Sequence, residues 1–166
     1  MQPANHHIAE FNRGVLRYDW DDPRVADFAN GVERVNAVAE RSDGFVWRVS
    51  DEEMEAAQLD PSGPLGGNPR VASTLSVWRD VSSLEAFVWD TVHRVFYQRK
   101  TEWFEPGQGL RLVMWWVPVG HRPSVAEAVE RFDFLCENGP SEFAFGWKEL
   151  SQARLWQSCN CERAAA

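Results

Sequence analysis

The segment Leu112–Val119 limits the possible folds of this chain more than any other feature. Every residue in it is apolar, so apolar side chains occupy both alternating positions of a strand predicted at Leu110–Val117. Successive side chains of a β-strand point to opposite faces of the sheet. The predicted strand Val71–Arg79 is also apolar on both sides. A sheet containing these two strands needs an apolar cover on both faces.

The remaining pattern places these strands in an α+β fold. Further strands are predicted at 8–18 and 45–49, with a short last strand at 143–147. Helices are predicted from Asp21-Asp22-Pro23 to about Arg41, from the caps at 80–83 to about Phe104, and from the capping box at Ser124 to Asn138. Residues 50–69 are rich in Pro and Gly and are predicted to form a long loop. The order β-α-β-β-α-β is the ferredoxin-like split arrangement. The chain is predicted to form one domain over 1–147, followed by a tail at 148–166.

This arrangement raises the question of what covers the second face of an antiparallel sheet. Two helices cover one face, and the other face would expose a large apolar surface in a monomer. A second copy of the same sheet is the simplest cover. The sequence therefore predicts a homodimer.

Charge and composition exclude several classes of function. The formal net charge is −8 and the pI is about 5.0, which argues against nucleic acid and anionic membrane surfaces as partners. No apolar run approaches the roughly 20 residues needed to cross a bilayer. The N-terminus lacks a secretory pattern, and the three cysteines are odd in number, so a cytoplasmic location is expected.

Several segments of the sequence resemble those of a known bacterial family. They are the stretch from Asp21 to Arg48, Ser76-Val-Trp78, His93 with Arg99-Lys100 and Trp103-Phe104, Trp115 to Ser124, and Gly139-Pro140. Together they cover roughly residues 7–147. The chain is similar to a family of unknown function in the dimeric α+β barrel superfamily, which includes antibiotic-biosynthesis monooxygenases. The resemblance implies the fold and a dimer, and it implies an activity only by analogy, because one scaffold hosts many functions.

His93 is the leading candidate for a catalytic residue. Trp89, His93 and Tyr97 are four residues apart, so they share one face of the predicted second helix. An imidazole among aromatic rings can shuttle protons near neutral pH or serve as an axial ligand of haem iron. The alternative is a structural histidine, either buried with its ring bonded to a carbonyl group or partly exposed.

Two further candidates lie on the first predicted strand. Glu10 and Asn12 share a face that is otherwise apolar, with Ile8 and Leu16. Asn12 could orient a carbonyl or enolate oxygen, and Glu10 could act as a base if burial raises its pKa. The alternative is an edge of the sheet that faces solvent.

The unusual content of 9 Trp and 10 Phe suggests an aromatic binding site or a large aromatic core. The residues predicted to contact a substrate are Trp47, Trp78, Trp89, Tyr97 and Trp116. Arg99 and Lys100 lie near the end of the second helix, where cations suit the helix dipole. The alternative is an anion site for a substrate carboxylate.

The motifs of other enzyme classes are missing from the sequence. It contains no phosphate-binding glycine loop, nucleophile elbow or HExxH, and Cys159-Asn-Cys161 has no partner pair at zinc spacing. The prediction is a small-molecule enzyme without a nucleotide cofactor or metal, acting on a hydrophobic, aromatic or polyketide-like substrate. Its reaction would be oxygenation or a proton-transfer cyclisation. The alternatives are a haem enzyme with His93 as axial ligand and a non-catalytic ligand-binding dimer.

Overall fold

A computed structural model describes residues 1–106 and 111–156. Four strands form one antiparallel sheet: β1 (His6–Val15), β2 (Phe45–Arg48), β3 (Val71–Trp78) and β4 (Arg111–Pro118). Their order is β2-β3-β1-β4, so β1 and β3 occupy the centre. The predicted α+β fold with a ferredoxin-like split order is confirmed.

Within the ranges that the structure describes, five α-helices pack around this sheet. They are α1 (Ala26–Arg41), α2 (Asp51–Leu59), α3 (Val81–Asp90), α4 (His93–Trp103) and α5 (Val125–Asn138), and a short 3-10 helix follows at Trp147–Glu149. Two of the predicted caps are present: the side chain of Asp80 accepts a hydrogen bond from Ser83 N, and that of Ser124 from Glu127 N. None of the helices in the described ranges is long and apolar enough to span a membrane.

Both faces of the sheet are covered within one chain. On the first face Phe11, Val113 and Trp115 are buried in one cluster with Val125 and Ala128 of α5. The second face packs against α1, α3 and the segment after Trp147, in a cluster that includes Ile8, Trp78, Met114, Ala39, Leu84 and Leu150. The expectation that one sheet face stays open in a monomer is therefore wrong, because α5 supplies the cover. The homodimer itself stays a prediction, but an exposed sheet face no longer supports it.

Two helical predictions need correction. The segment 50–69 is not a continuous loop, since α2 occupies its first half and begins where Ser50 Oγ accepts a hydrogen bond from Glu53 N. The predicted second helix is broken into α3 and α4 at Thr91. The Thr91 hydroxyl donates to the carbonyl of Phe87 and accepts from the main-chain N–H of His93. That hydroxyl thus bonds to main-chain groups on both sides of the break.

Two boundaries also differ from the expectation. The first helix begins at Ala26, because the carboxylate of Asp22 binds the main chain and guanidinium of Arg24 in a turn that precedes it. The predicted strand at 143–147 is reduced to one bridge between Phe145 and Met114.

The chain after Trp147 packs against the domain. Leu150 and Ala153 are buried, and the carboxylate of Glu85 accepts a hydrogen bond from Trp156 N at 2.7 Å. The predicted tail therefore contains a packed segment up to residue 156. The pair Cys159 and Cys161 lies outside the described residues.

Candidate functional site

A cavity of about 580 Å³ lies along the second face of the sheet, and its lining also includes Leu75, which alternates onto the first face, and Met54 of α2, which packs there. Its floor is formed by β1 and β3, and its walls come from α1, α2, α3 and α4. Cavities of this size commonly hold drug-sized molecules. Small side chains on the floor, among them Ala72, Thr74 and Ser76, leave room beneath the helices.

The floor carries a continuous polar network. Register places Glu10 beside Ser76, and Asn12 beside Thr74. The amide of Asn12 donates to Glu10 Oε1 at 3.0 Å and to Thr74 Oγ1 at 2.6 Å. Ser76 Oγ donates to Glu10 Oε2 at 3.3 Å and accepts from the indole N–H of Trp78 at 3.0 Å. Alternation along β1 predicted this shared face for Glu10 and Asn12.

Two carboxyl groups in the described part of the chain, those of Glu10 and Glu85, are buried and have a raised pKa, and Glu10 is the one that lines the cavity. Its side chain is buried beneath the helices, and desolvation raises the pKa of Glu10 from 4.5 to about 7. The hydrogen bonds from Asn12 and Ser76 lower the pKa but only partly offset the burial. Near neutral pH this carboxyl group can therefore both accept and release a proton.

One face of α4 forms the opposite wall. His93, Phe96, Tyr97 and Lys100 all line the cavity, and their spacing of three, four and seven residues is that of a single helical face. The sequence predicted His93 and Tyr97 on this face. For Lys100 the sequence left open a role at the helix dipole or in an anion site, and its spacing from His93 places it on the same side of α4.

The imidazole of His93 packs among apolar groups. Its ring lies 5.1 Å from that of Phe87, which in turn stacks on Trp78 at 5.0 Å. Desolvation lowers the pKa of His93 from 6.5 to about 4, and a contact with the Val88 main chain opposes this only weakly. In residues 1–106 and 111–156, Nδ1 of His93 finds no hydrogen-bond partner. The ring is therefore neutral at pH 7 and is a weak base there.

The predicted aromatic residues do not all converge. Trp78 and Tyr97 line the cavity. Trp47 packs in the cluster on the other face of the sheet, and Trp116 packs on Phe145 with ring centroids 5.4 Å apart. Trp89 is buried and meets Tyr97 edge-on at 5.0 Å, behind the cavity wall. These three Trp residues therefore belong to the packed core around the site.

A polar corner of the cavity was missed by sequence reasoning. Asp51, at the start of α2, accepts hydrogen bonds from Asn36 at 2.9 Å and Arg48 at 2.8 Å. Arg48 also pairs with Glu40 at 2.7 Å. Because 50–69 was taken as a loop, the pattern gave no reason to place Asp51 beside α1. The Ser50-x-x-Glu53 spacing was the signal that could have found it.

Metal binding has no support in the described part of the chain, which contains no group of three or more His, Cys, Asp or Glu residues placed to hold an ion.

The sequence matches, over residues 7–161, the model of a family described as a domain of unknown function (DUF3291). The chain belongs to this family. The predicted membership in a family of unknown function is thereby confirmed, and the match extends the similarity past residue 147, where the resemblance seen in the sequence ended.

Comparison of this DUF3291 member with solved structures gives two distant likenesses. One is a protein of unknown function from Nitrosomonas europaea, with 10% identity, a TM-score of 0.46, and coverage of 74% of this chain and 99% of that chain. The other is SnoaB, a cofactor-independent oxygenase from Streptomyces nogalater, with 14% identity, a TM-score of 0.38, and coverage of 74% and 98%. No curated protein matches the sequence significantly.

Proposed function

We propose that this protein is a small-molecule enzyme that removes a proton from a hydrophobic, aromatic or polyketide-like substrate, with Glu10 as the base. The single observation that carries the proposal is the buried carboxyl group of Glu10 on the floor of a largely apolar cavity, with a pKa near 7. A carboxyl group with a strongly shifted pKa inside a cavity is a candidate for a chemical role.

The choice between Glu10 and His93 follows from their protonation. A base works best when its pKa lies near the working pH. The pKa of Glu10 is about 7, whereas that of His93 is about 4. We therefore assign proton transfer to Glu10 and give His93 the role of a neutral wall residue. Asn12 positions the Glu10 carboxylate and is a positioning residue in this scheme.

The proposed step is the same for both predicted reaction types. The carboxylate of Glu10 takes a proton from an acidic C–H group, and the substrate becomes an enolate. In an oxygenase the enolate reacts with O₂, so that a CH₂ group becomes C=O and the second oxygen atom leaves as water. In a cyclase the enolate carbon attacks a carbonyl group of the same molecule, the C=O π bond becomes an alkoxide, and the alkoxide takes the proton back from Glu10.

Anthrone is a suitable first probe, because it is a tricyclic ketone with an acidic CH₂ group. In D₂O, NMR would measure exchange of the CH₂ protons, and an oxygen electrode would measure O₂ consumption. We expect faster exchange with the wild-type protein and a loss of about a hundredfold or more in the Glu10→Gln variant, the usual size of a general-base contribution. The matched control is His93→Gln, which should retain most of the exchange. Full activity of Glu10→Gln would refute the assignment, and O₂ consumption separates oxygenase from cyclase.

Two alternative functions predicted from the sequence can be distinguished from this proposal by experiment. A haem enzyme needs His93 as axial ligand, and its neutral ring lining the cavity fits that need. A Soret band that appears on adding haem and disappears in His93→Gln would favour it over the present proposal. A non-catalytic ligand-binding protein would show binding without exchange. The homodimer and the cytoplasmic location stay predictions.

A further inference from the structure

We infer that the ligand of this cavity carries one anionic group, which pairs with Lys100, so that the substrate class is a hydrophobic aromatic acid. This inference rests on the proposed function, because it places the anion in the same cavity as Glu10. It adds a binding residue and a charge to a site otherwise described by its apolar walls.

Lys100 is the cavity cation without an ion pair in the described ranges, whereas Arg48 is engaged by Glu40 and Asp51. Its ammonium group lies 3.9 Å from the centroid of the Tyr97 ring, which itself lines the cavity. Lys100 is half-buried. The cation is therefore held beside the cavity wall instead of extending fully into water.

The position of Lys100 along α4 suits a two-ended ligand. Lys100 is seven residues after His93, which corresponds to about 10 Å along the helix axis. His93 contacts Phe87 near Trp78, the partner of Ile8 in the sheet, whereas α4 ends beside Leu16, bridged by Phe104. The cavity therefore extends along β1, with an aromatic end near His93, Glu10 and Asn12 on the floor, and Lys100 toward the other end.

A purely structural explanation is that the charge of Lys100 is attracted to the carboxyl end of the α4 dipole. That attraction does not explain why Lys100 lies on the side of α4 that lines the cavity. A lysine serving only the helix dipole can lie on any side of the last turn. Arg99 is such a residue, since it pairs with Asp27 at 2.9 Å and with Glu102 at 2.9 Å on the surface. Lys100 instead lines the cavity, as do Arg48 and Arg111.

Two fluorescent probes with the same skeleton test the inference. They are N-phenyl-1-naphthylamine, which is neutral, and 8-anilinonaphthalene-1-sulfonate, which adds one anionic group. Affinities would be measured for the wild type and for Lys100→Met, with Lys100→Arg as the conservative variant. The control is Arg94→Met, because Arg94 is exposed on the same helix and does not line the cavity.

We expect Lys100→Met to weaken the anionic probe about tenfold, as loss of a partly buried charge pair would, and to leave the neutral probe within about twofold. Lys100→Arg should restore most of the affinity, and Arg94→Met should match the wild type. Unchanged binding of the anionic probe by Lys100→Met would overturn the inference, and so would an equal loss of both probes. If the wild type bound neither probe, the result would contradict both the ligand-binding cavity of the proposed function and the inference about Lys100.

Discussion

Two opposing effects determine the pKa of the Glu10 carboxyl group. Burial disfavours the charged form, while hydrogen bonds from Asn12 and Ser76 favour it. The result is a group that is protonated in part at neutral pH. A floor network that holds such a group in one orientation is well suited to proton transfer, because the carboxyl oxygens need not reorganise.

The raised pKa of Glu10 predicts a pH-dependent stability. Between pH 4.5 and about 7 the folded protein binds a proton that the unfolded chain releases, so rising pH lowers the contribution of Glu10 to stability. The full effect is about 3 kcal/mol, from the size of the shift. Glutamine does not titrate. We therefore expect the stability of Glu10→Gln relative to wild type to increase by up to that amount from pH 4 to pH 8, measured by urea unfolding. A difference independent of pH would contradict the burial argument.

Reasoning from sequence grouped candidate residues that the structure brings to one cavity, but it could not give their protonation states. Alternation on β1 and four-residue spacing on α4 sufficed to name Glu10, Asn12, His93 and Tyr97, which all line one cavity. The pKa values depend on how closely several helices approach the sheet, which no local pattern encodes. For the same reason the pattern could not separate Trp78, which lines the cavity, from the Trp residues that do not.

At the scale of elements, the break between α3 and α4 determines where His93 lies. No proline or glycine marks it, and the two halves read as one continuous amphipathic helix. The hydroxyl of Thr91 stabilises the break through its bonds to Phe87 and His93. We expect Thr91→Val, which keeps the shape but removes the hydroxyl, to lower the free energy of unfolding by about 1 kcal/mol. Thr91→Ser should be close to wild type in the same urea titration, and equal losses in both variants would argue against the hydrogen bonds.

The contact between α1 and α4 sets the width of the cavity. A Cβ added at Gly31 would overlap the ring of Phe96, which lines the cavity and must then turn inward. Helix propensity favours Gly31→Ala by about 1 kcal/mol and overpacking opposes it by about 1–3 kcal/mol, so the net effect lies between no change and a loss of about 2 kcal/mol in stability. Affinity for N-phenyl-1-naphthylamine should fall several-fold. The double variant Gly31→Ala/Phe96→Leu should recover it, and failure to do so would show that the ring is not the obstacle.

At the scale of the whole molecule, a dimer is not needed to cover the apolar faces of the sheet. The second copy was expected to close the apolar face that the two helices leave open, but α5 already buries Trp115 and Val113 there. The apolar run Leu112–Val119 correctly required a cover on both sides. Sequence periodicity could not tell whether the cover comes from the same chain or from a partner, because both satisfy the same pattern.

This coverage predicts that each chain binds ligand independently. One chain supplies both the floor of the cavity, with Glu10 and Asn12, and the α4 wall, with His93 and Tyr97. We therefore expect one N-phenyl-1-naphthylamine per chain, with the same affinity at protein concentrations above and below the dissociation constant of any dimer. Sedimentation velocity would fix the oligomeric state, and fluorescence titration at matching concentrations would give the affinity. An affinity that rises with association would mean that a partner copy contributes to the site, as the dimer predicted from the sequence would allow.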